Sequence, residues 1–143
     1  HIGYRPDYSR CNQGGAAMIE LIYHGQPIAF QRPRYDSRNH RSFNSTRYSN
    51  AKKAMADFIR TNSPGAYFDC PLRLLVNFYR QDRRAVDLDN LVKALCDALQ
   101  DSGVIKNDSQ IEWLWAKRIY DKHNPRTHFV LAGVETKEEG TSV

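Results

Sequence analysis

The sequence predicts an α+β fold: a single small domain in which helices pack against a mixed β-sheet. Three observations lead there. At 143 residues the chain is long enough to bury one core without disulfides or a structural metal. Stretches with apolar residues at every second position are interspersed with stretches at helical spacing. Two hairpin-like strand pairs among them favour a mixed sheet over a wholly parallel one.

The elements follow in order. Residues 1–17 show no period and read as a leader or upstream extension, so the domain is expected over 18–135. Met18–His24 (MIELIYH) is a strand, closed by Gly25. Gln26–Phe30 is a second short strand or the far arm of a hairpin. Gln31 to Thr46 is polar, dense in Arg, Ser and Asn, and reads as a loop. Arg47–Thr61 is helical: Tyr48, Ala51, Met55, Phe58 and Ile59 share one face. Asn62-Ser63-Pro64-Gly65 ends it.

Pro71–Arg80 alternates, with Leu72, Leu74, Val76 and Phe78 on one side and Arg73, Leu75, Asn77 and Tyr79 on the other. Leu88–Gln100 is the second helix, with Leu91, Ala94, Leu95, Ala98 and Leu99 as its buried stripe. Asp87 or Asp89 is its N-cap and Gly103 its stop. Ile111–Asp121 is a long strand with Ile111, Trp113, Trp115 and Ile119 on one side. Thr127–Val134 is the last strand. The polar tail over 136–143 frays.

The charge is uneven. The chain carries 21 basic and 16 acidic residues, a net +5. Residues 30–60 hold eight basic and two acidic residues, so this segment carries the whole excess. Such a concentration suits a polyanion, although a solvated basic face explains it equally well. Arg32, Arg34, Arg38 and Arg41 can fork onto phosphates. Tyr35 and Phe43 can stack on bases. Three cysteines (Cys11, Cys70, Cys96) without a CxxC pair argue against a disulfide framework and a zinc knuckle. They suit a reducing cytoplasm. No apolar run approaches the roughly 20 residues that span a bilayer, so no membrane partner is expected.

The stretch Arg83-Arg84-Ala85-Val86-Asp87-Leu88-Asp89-Asn90-Leu91-Val92-Lys93 concentrates chemistry. Asp87 and Asp89 stand at a strand-to-helix junction, where both can face one point. Asp108 lies on the turn before the next strand. If the strands over 71–80 and 111–121 are neighbours, Asp108 returns towards Asp87 and Asp89. Three carboxylates at one point repel unless a cation joins them. Mg²⁺ suits such a set, because it takes a few carboxylate oxygens and keeps waters for phosphate to replace. Lys93, one turn after Asp89, can hold a phosphate or stabilise transition-state charge. A competing structural reading exists for each: Asp87 and Asp89 as helix caps, and Asp89–Lys93–Asp97 as a surface ladder. His123 and His128 are read as loop and strand surface.

These motifs carry a resemblance. Asp87-Leu88-Asp89-Asn90-Leu91 with Lys93, Ala94, Asp97, Ala98 and Leu99, then Gly103-Val104 and Asn107-Asp108-Ser109-Gln110-Ile111, is closely similar to the RusA family of Holliday-junction resolvases. These are bacterial endodeoxyribonucleases, often of prophages. The similarity is specific over 82–111 and looser from Met18, through a QRPR element, to about Glu135. It implies Mg²⁺ on Asp87, Asp89 and Asp108, with Mn²⁺ as a substitute, and an essential Lys93. It implies a homodimer that nicks a four-way DNA junction symmetrically. Two positions depart from the family pattern. Asn107 stands where an acid is common, and Val86 where a basic residue is common.

The leading expectation is therefore a metal-dependent junction endonuclease, with Arg32, Arg34, Lys52, Arg83 and Arg84 as backbone contacts. Such contacts make binding fall steeply with salt while reading little sequence. The alternatives are a non-catalytic junction-binding module with a relic metal site, and an enzyme acting on a phosphorylated small molecule. The short chain and the lack of a Gly-rich phosphate loop count against the last.

Overall fold

Alternation in the central strand produces one buried and one mixed face. The computed structural model describes residues 18–32, 34–39, 41–43 and 46–134. The expected leader, with Cys11, and the expected tail lie outside them. Leu72–Arg80 forms β4, with Leu72, Leu74, Val76 and Phe78 almost wholly buried. It is one of four strands in the main sheet. β1 is Met18–His24, β5 is Ile111–Tyr120 and β6 is Arg126–Gly133. Their order is β1-β6-β4-β5. β6 is antiparallel to both β1 and β4, whereas β5 is parallel to β4. The sheet is mixed, as the sequence predicts.

Two helices cover the face that carries Leu74, Val76 and Phe78. α1 is Thr46–Asn62 and α2 is Leu88–Ser102. The α2 stripe of Leu91, Leu95, Ala98 and Leu99 is buried against Phe68, Leu74, Phe129 and Leu131. Burying each leucine there contributes about 1.5–3 kcal/mol. Gly103 ends α2 in the left-handed region at φ 83°, where its N–H reaches Gln100 O. A parallel β4–β5 pair requires a crossover, and α2 is that crossover.

Several expectations need correction. Gln26–Phe30 is not a strand. Its polar groups are met by other elements: Phe30 N–H donates to Asn90 O at 2.8 Å, and Gln26 Oε1 accepts from Gln81 N–H at 2.8 Å. The segment thus ties the start of α2 to the end of β4. The loop expected over 31–46 holds a small hairpin, β2 (Arg34–Asp36) and β3 (Arg41–Phe43). Three-residue strands are too short to leave a period. β5 and β6, although consecutive, are not neighbours, because β6 lies between β1 and β4.

The expected face of β5 also divides. A register shift opposite Leu72 and Arg73 lets Ile111 pack on the core. Trp113 and Trp115 lie level with Arg73 and Leu75, on the face away from the helices, and are 57% and 48% exposed. Among the described residues one cysteine is bonded, against the expectation from cysteine spacing. Cys70 is disulfide-bonded, whereas Cys96 is free and buried on α2. No helix among the described residues is long and apolar enough to cross a membrane.

Candidate active site

The chain leaves β4 at Arg80, crosses a short loop, and enters α2 at Asp87. Asp87 is the N-cap by backbone position, with φ −72° and ψ 127°, yet its side chain makes no capping hydrogen bond. Its carbonyl accepts the first helical bonds, from Asn90 N–H at 3.1 Å and Leu91 N–H at 3.2 Å. Asp89 follows in the first turn. Both residues are exposed. With Leu88, Val92, Leu114 and Ala116 they line a shallow hollow of about 470 Å³ between α2 and β5. Two carboxylates without an ionic or hydrogen-bond partner among the described residues therefore sit beside an apolar wall, which leaves the capping explanation of Asp87 without its hydrogen bond.

Lys93 lies one turn on. Its Nζ is 3.0 Å from Asp97 Oδ1 and 3.6 Å from Asp108 Oδ2. Asp97 in turn accepts a hydrogen bond from Tyr48 Oη on α1 at 2.9 Å. The Asp97 hydrogen bond, helped by the charge of Asp108, holds the Lys93 ammonium above its ordinary pKa, although partial burial opposes this. Burial and the same carboxylate push the Tyr48 phenol strongly upward. Phe30, carried over α2 by its bond to Asn90, places its ring 5.9 Å from Lys93 Nζ.

Asp108 is set by its turn. Asp108–Gln110 is a single 3-10 turn, capped by Asn107, whose side chain accepts from Ser109 N–H at 2.8 Å. Asp108 N–H donates to Gln100 Oε1 at 2.6 Å. Gln110 Oε1 accepts from Lys106 and Asn107, while its amide donates to Phe68 O and Cys70 O. The Asn107 oxygen is thus committed to shaping the turn.

The strands over 71–80 and 111–121 do pair, and the structure brings Asp108 to Lys93 and Asp97. Asp87 and Asp89 stand at the head of the same helix. At about 1.5 Å of rise per residue, Asp97 lies about 12 Å along the axis from Asp89. Among the described residues no three His, Cys, Asp or Glu group together as a set able to hold a metal. The donors themselves are hard carboxylate oxygens, the kind that Mg²⁺ takes. Asp87 and Asp89 fit it as a pair, and Asp108 is engaged by Lys93.

The model of one family, described as endodeoxyribonuclease RusA, matches residues 24–131. The chain belongs to the RusA family. No curated protein matches it significantly.

The RusA-family match spans the basic positions as well. Arg83 and Arg84 line a polar hollow at the C-terminal ends of β4 and β5, together with Arg80 and Arg118. Arg83 stacks 4.0 Å over the Tyr120 ring. Arg118 donates to Val86 O at 2.6 Å, so a guanidinium reaches the backbone where a basic side chain is common in the family. Val86 itself packs on the core. Arg80 donates to Pro27 O and pairs with Asp82 at 3.7 Å. Lys52 is turned to Asp101 at 3.3 Å and lies away from the acidic pair on α1. Arg32 is exposed two residues after Phe30. Arg34 opens β2, and its side chain, like those of Arg41 and Phe43, lies outside the described residues. His128 pairs with Glu20 at 2.6 Å.

Sequence reasoning missed three participants. Arg80 and Arg118 read only as strand residues, and their convergence depends on the parallel β4–β5 register. Asp97 reads from sequence as part of a surface ladder, and only its i, i+4 spacing from Lys93 points to more. Of that ladder, the Lys93–Asp97 step is present.

Proposed function

We propose that this RusA-family chain is a Mg²⁺-dependent endodeoxyribonuclease that resolves four-way DNA junctions, as a homodimer making paired nicks. The supporting observation is the pair Asp87 and Asp89: exposed, free of capping or ionic partners among the described residues, and one helical turn from a lysine kept charged. Asp87 and Asp89 would hold Mg²⁺, with Asp108 as the third ligand expected from the family resemblance. When bound, the metal would supply polarisation of the phosphoryl oxygen and activation of water.

The chain's own residues supply the rest. Lys93 offers an ammonium for a non-bridging oxygen of the scissile phosphate, where negative charge grows in the transition state. Asp97, buttressed by Tyr48, positions that ammonium. Arg83 and Arg84, in a hollow they share with Arg80 and Arg118, present guanidinium forks to the DNA backbone just before the acidic motif. Arg32 and Lys52 extend the basic surface. Products would carry a 5′-phosphate and a 3′-hydroxyl.

The test is cleavage of a synthetic four-way junction beside a linear duplex of the same sequence. Symmetric nicks on the junction alone, lost with EDTA and in Asp89→Asn, are expected. Cleavage that survives Asp89→Asn would defeat the assignment. A second reading, a non-catalytic junction-binding protein with a relic metal site, draws on the engagement of Asp108 by Lys93. It predicts junction binding without nicks in Mg²⁺ or Mn²⁺.

A further inference from the structure

The two helices lie over one face of the main sheet, and Trp113 and Trp115 stand on the other. They are the chain's only two tryptophans, and each is about half open to solvent. Large rings exposed side by side mark an interaction surface. Two observations say what this one fits.

The first is spacing. Residues i and i+2 of a strand share a face and stand about 6.6 Å apart. Stacked bases repeat at about 3.4 Å. Two rings at that separation leave a gap that one base fills, ring on base on ring. The second is charge. Arg73 lies level with Trp113 on β4, and Lys117 follows Trp115 on the same face. Both are exposed, and neither has an ionic partner among the described residues. Of the acids nearby, Glu20 is held by His128 at 2.6 Å, Asp121 is held by Arg126 at 3.0 Å, and Glu112 is skipped by the register shift ahead of Trp113. An apolar partner would have to bury two unpaired cations, which is costly. Unpaired nucleotides offer flat rings to the tryptophans and phosphates to the cations.

We propose that this face binds single-stranded DNA, stacking a base between Trp113 and Trp115 and holding the flanking phosphates with Arg73 and Lys117. A duplex keeps its bases inside its own stack, so the face selects unpaired ones. Leu114, between the two tryptophans in sequence, points the other way and lines the hollow with Asp87 and Asp89. β5 ends the order of the sheet. A strand that rounds β5 therefore passes from the stacking face to the acidic pair. At a branch point, bases unpaired on one face would leave the adjoining phosphodiester to the other. That use at a junction rests on the function proposed above; the stacking face itself does not.

The test reads the tryptophan fluorescence of the full wild-type chain in EDTA, so that nothing is cut. Both tryptophans stand on this face, so quenching reports contact there. The probes are an oligothymidylate of about 12 nucleotides, within the usual length of such sites, an abasic oligomer with the same phosphates, and a blunt duplex. We expect saturable quenching by the oligothymidylate and none by the other two. By anisotropy of labelled oligothymidylate, Trp115→Ala should weaken binding about 5–150-fold, and Trp115→Phe should recover most of that loss. Lys117→Glu should weaken binding and flatten its salt dependence. Circular dichroism establishes that each variant is folded. Oligothymidylate that binds without quenching, or does not bind, overturns the proposal. So does equal quenching by the abasic oligomer. A sedimenting mass that falls from two chains to one in Trp113→Ala or Trp115→Ala assigns the face to a second copy and overturns it as well. Quenching by a chain that cuts no junction keeps the stacking face and rejects the nuclease; junction cutting without quenching does the reverse.

Discussion

Lys93 and Asp108 meet at 3.6 Å across the turn that joins α2 to β5. Lys93 comes from the second turn of the helix, and Asp108 from the 3-10 turn beyond its end. The contact ties the turn to the helix through one ammonium group. Lys93 shares that group with Asp97.

Removing the ammonium should separate catalysis from stability. Lys93→Met is expected to lower junction cleavage by about 10²–10³-fold, the usual cost of one transition-state donor. Lys93 is 45% exposed, and exposed ion pairs are worth about 0–1 kcal/mol. Its melting temperature should therefore stay close to wild type. Single-turnover cleavage and thermal melting together check this.

Asp87 gives a sharper contrast. An N-cap aspartate that bonds the helix typically contributes about 1 kcal/mol. The Asp87 side chain makes no such bond. Asp87→Ala should abolish cleavage and Mg²⁺ binding while leaving the denaturation midpoint almost unchanged. A large loss of stability would restore the capping role.

Alkaline pH should weaken the Lys93–Asp97 pair. The folded-state pKa of Lys93 is raised, mainly by its hydrogen bond to Asp97. The stabilisation is thus fully present below the ordinary lysine value of about 10.4 and is lost as pH rises through the higher folded value. Denaturant midpoints of wild type and Asp97→Asn should differ by the Lys93 pair, no more than about 1 kcal/mol, below that window, and this part of the difference should vanish above it.

Cys96 should be inert. Burial, aided by Asp108 and Asp97, pushes its thiol up to about 12, and only the thiolate is nucleophilic. Native protein at pH 8 should leave Cys96 unlabelled by iodoacetamide, and protein unfolded in guanidinium should label it. Prompt native labelling would show that α2 opens locally.

Core truncation should act on the fold as a whole. Leu95 and Leu131 are about 1% and 0% exposed. Either leucine changed to alanine should cost about 2–5 kcal/mol, read from the urea midpoint.

Much of the architecture was legible because apolar spacing leaves a strong signal. The Leu72–Phe78 alternation and the Leu91–Leu99 stripe each correspond to an observed element. Gly103 ends α2 because its positive φ suits glycine. The β2–β3 hairpin was hidden, since three-residue strands carry no period. The neighbours of β6 were hidden too, because strand order depends on long-range pairing. At the site, the acidic residues and Lys93 stood out by type and spacing. The tilt of Lys93 towards Asp97, and the gathering of Arg80 and Arg118 beside Arg83 and Arg84, depend on side-chain packing and strand register.

α2 bears Asp89, Lys93 and Asp97 on one side and Leu91, Leu95, Ala98 and Leu99 on the other. The chemistry and the core thus share a single cooperative unit. Its backbone amides should exchange with deuterium only through global opening, so that the acidic cluster is either wholly assembled or absent. Substitutions on the buried side of this helix would then change the fraction of molecules that are folded at all, rather than tune activity by degrees.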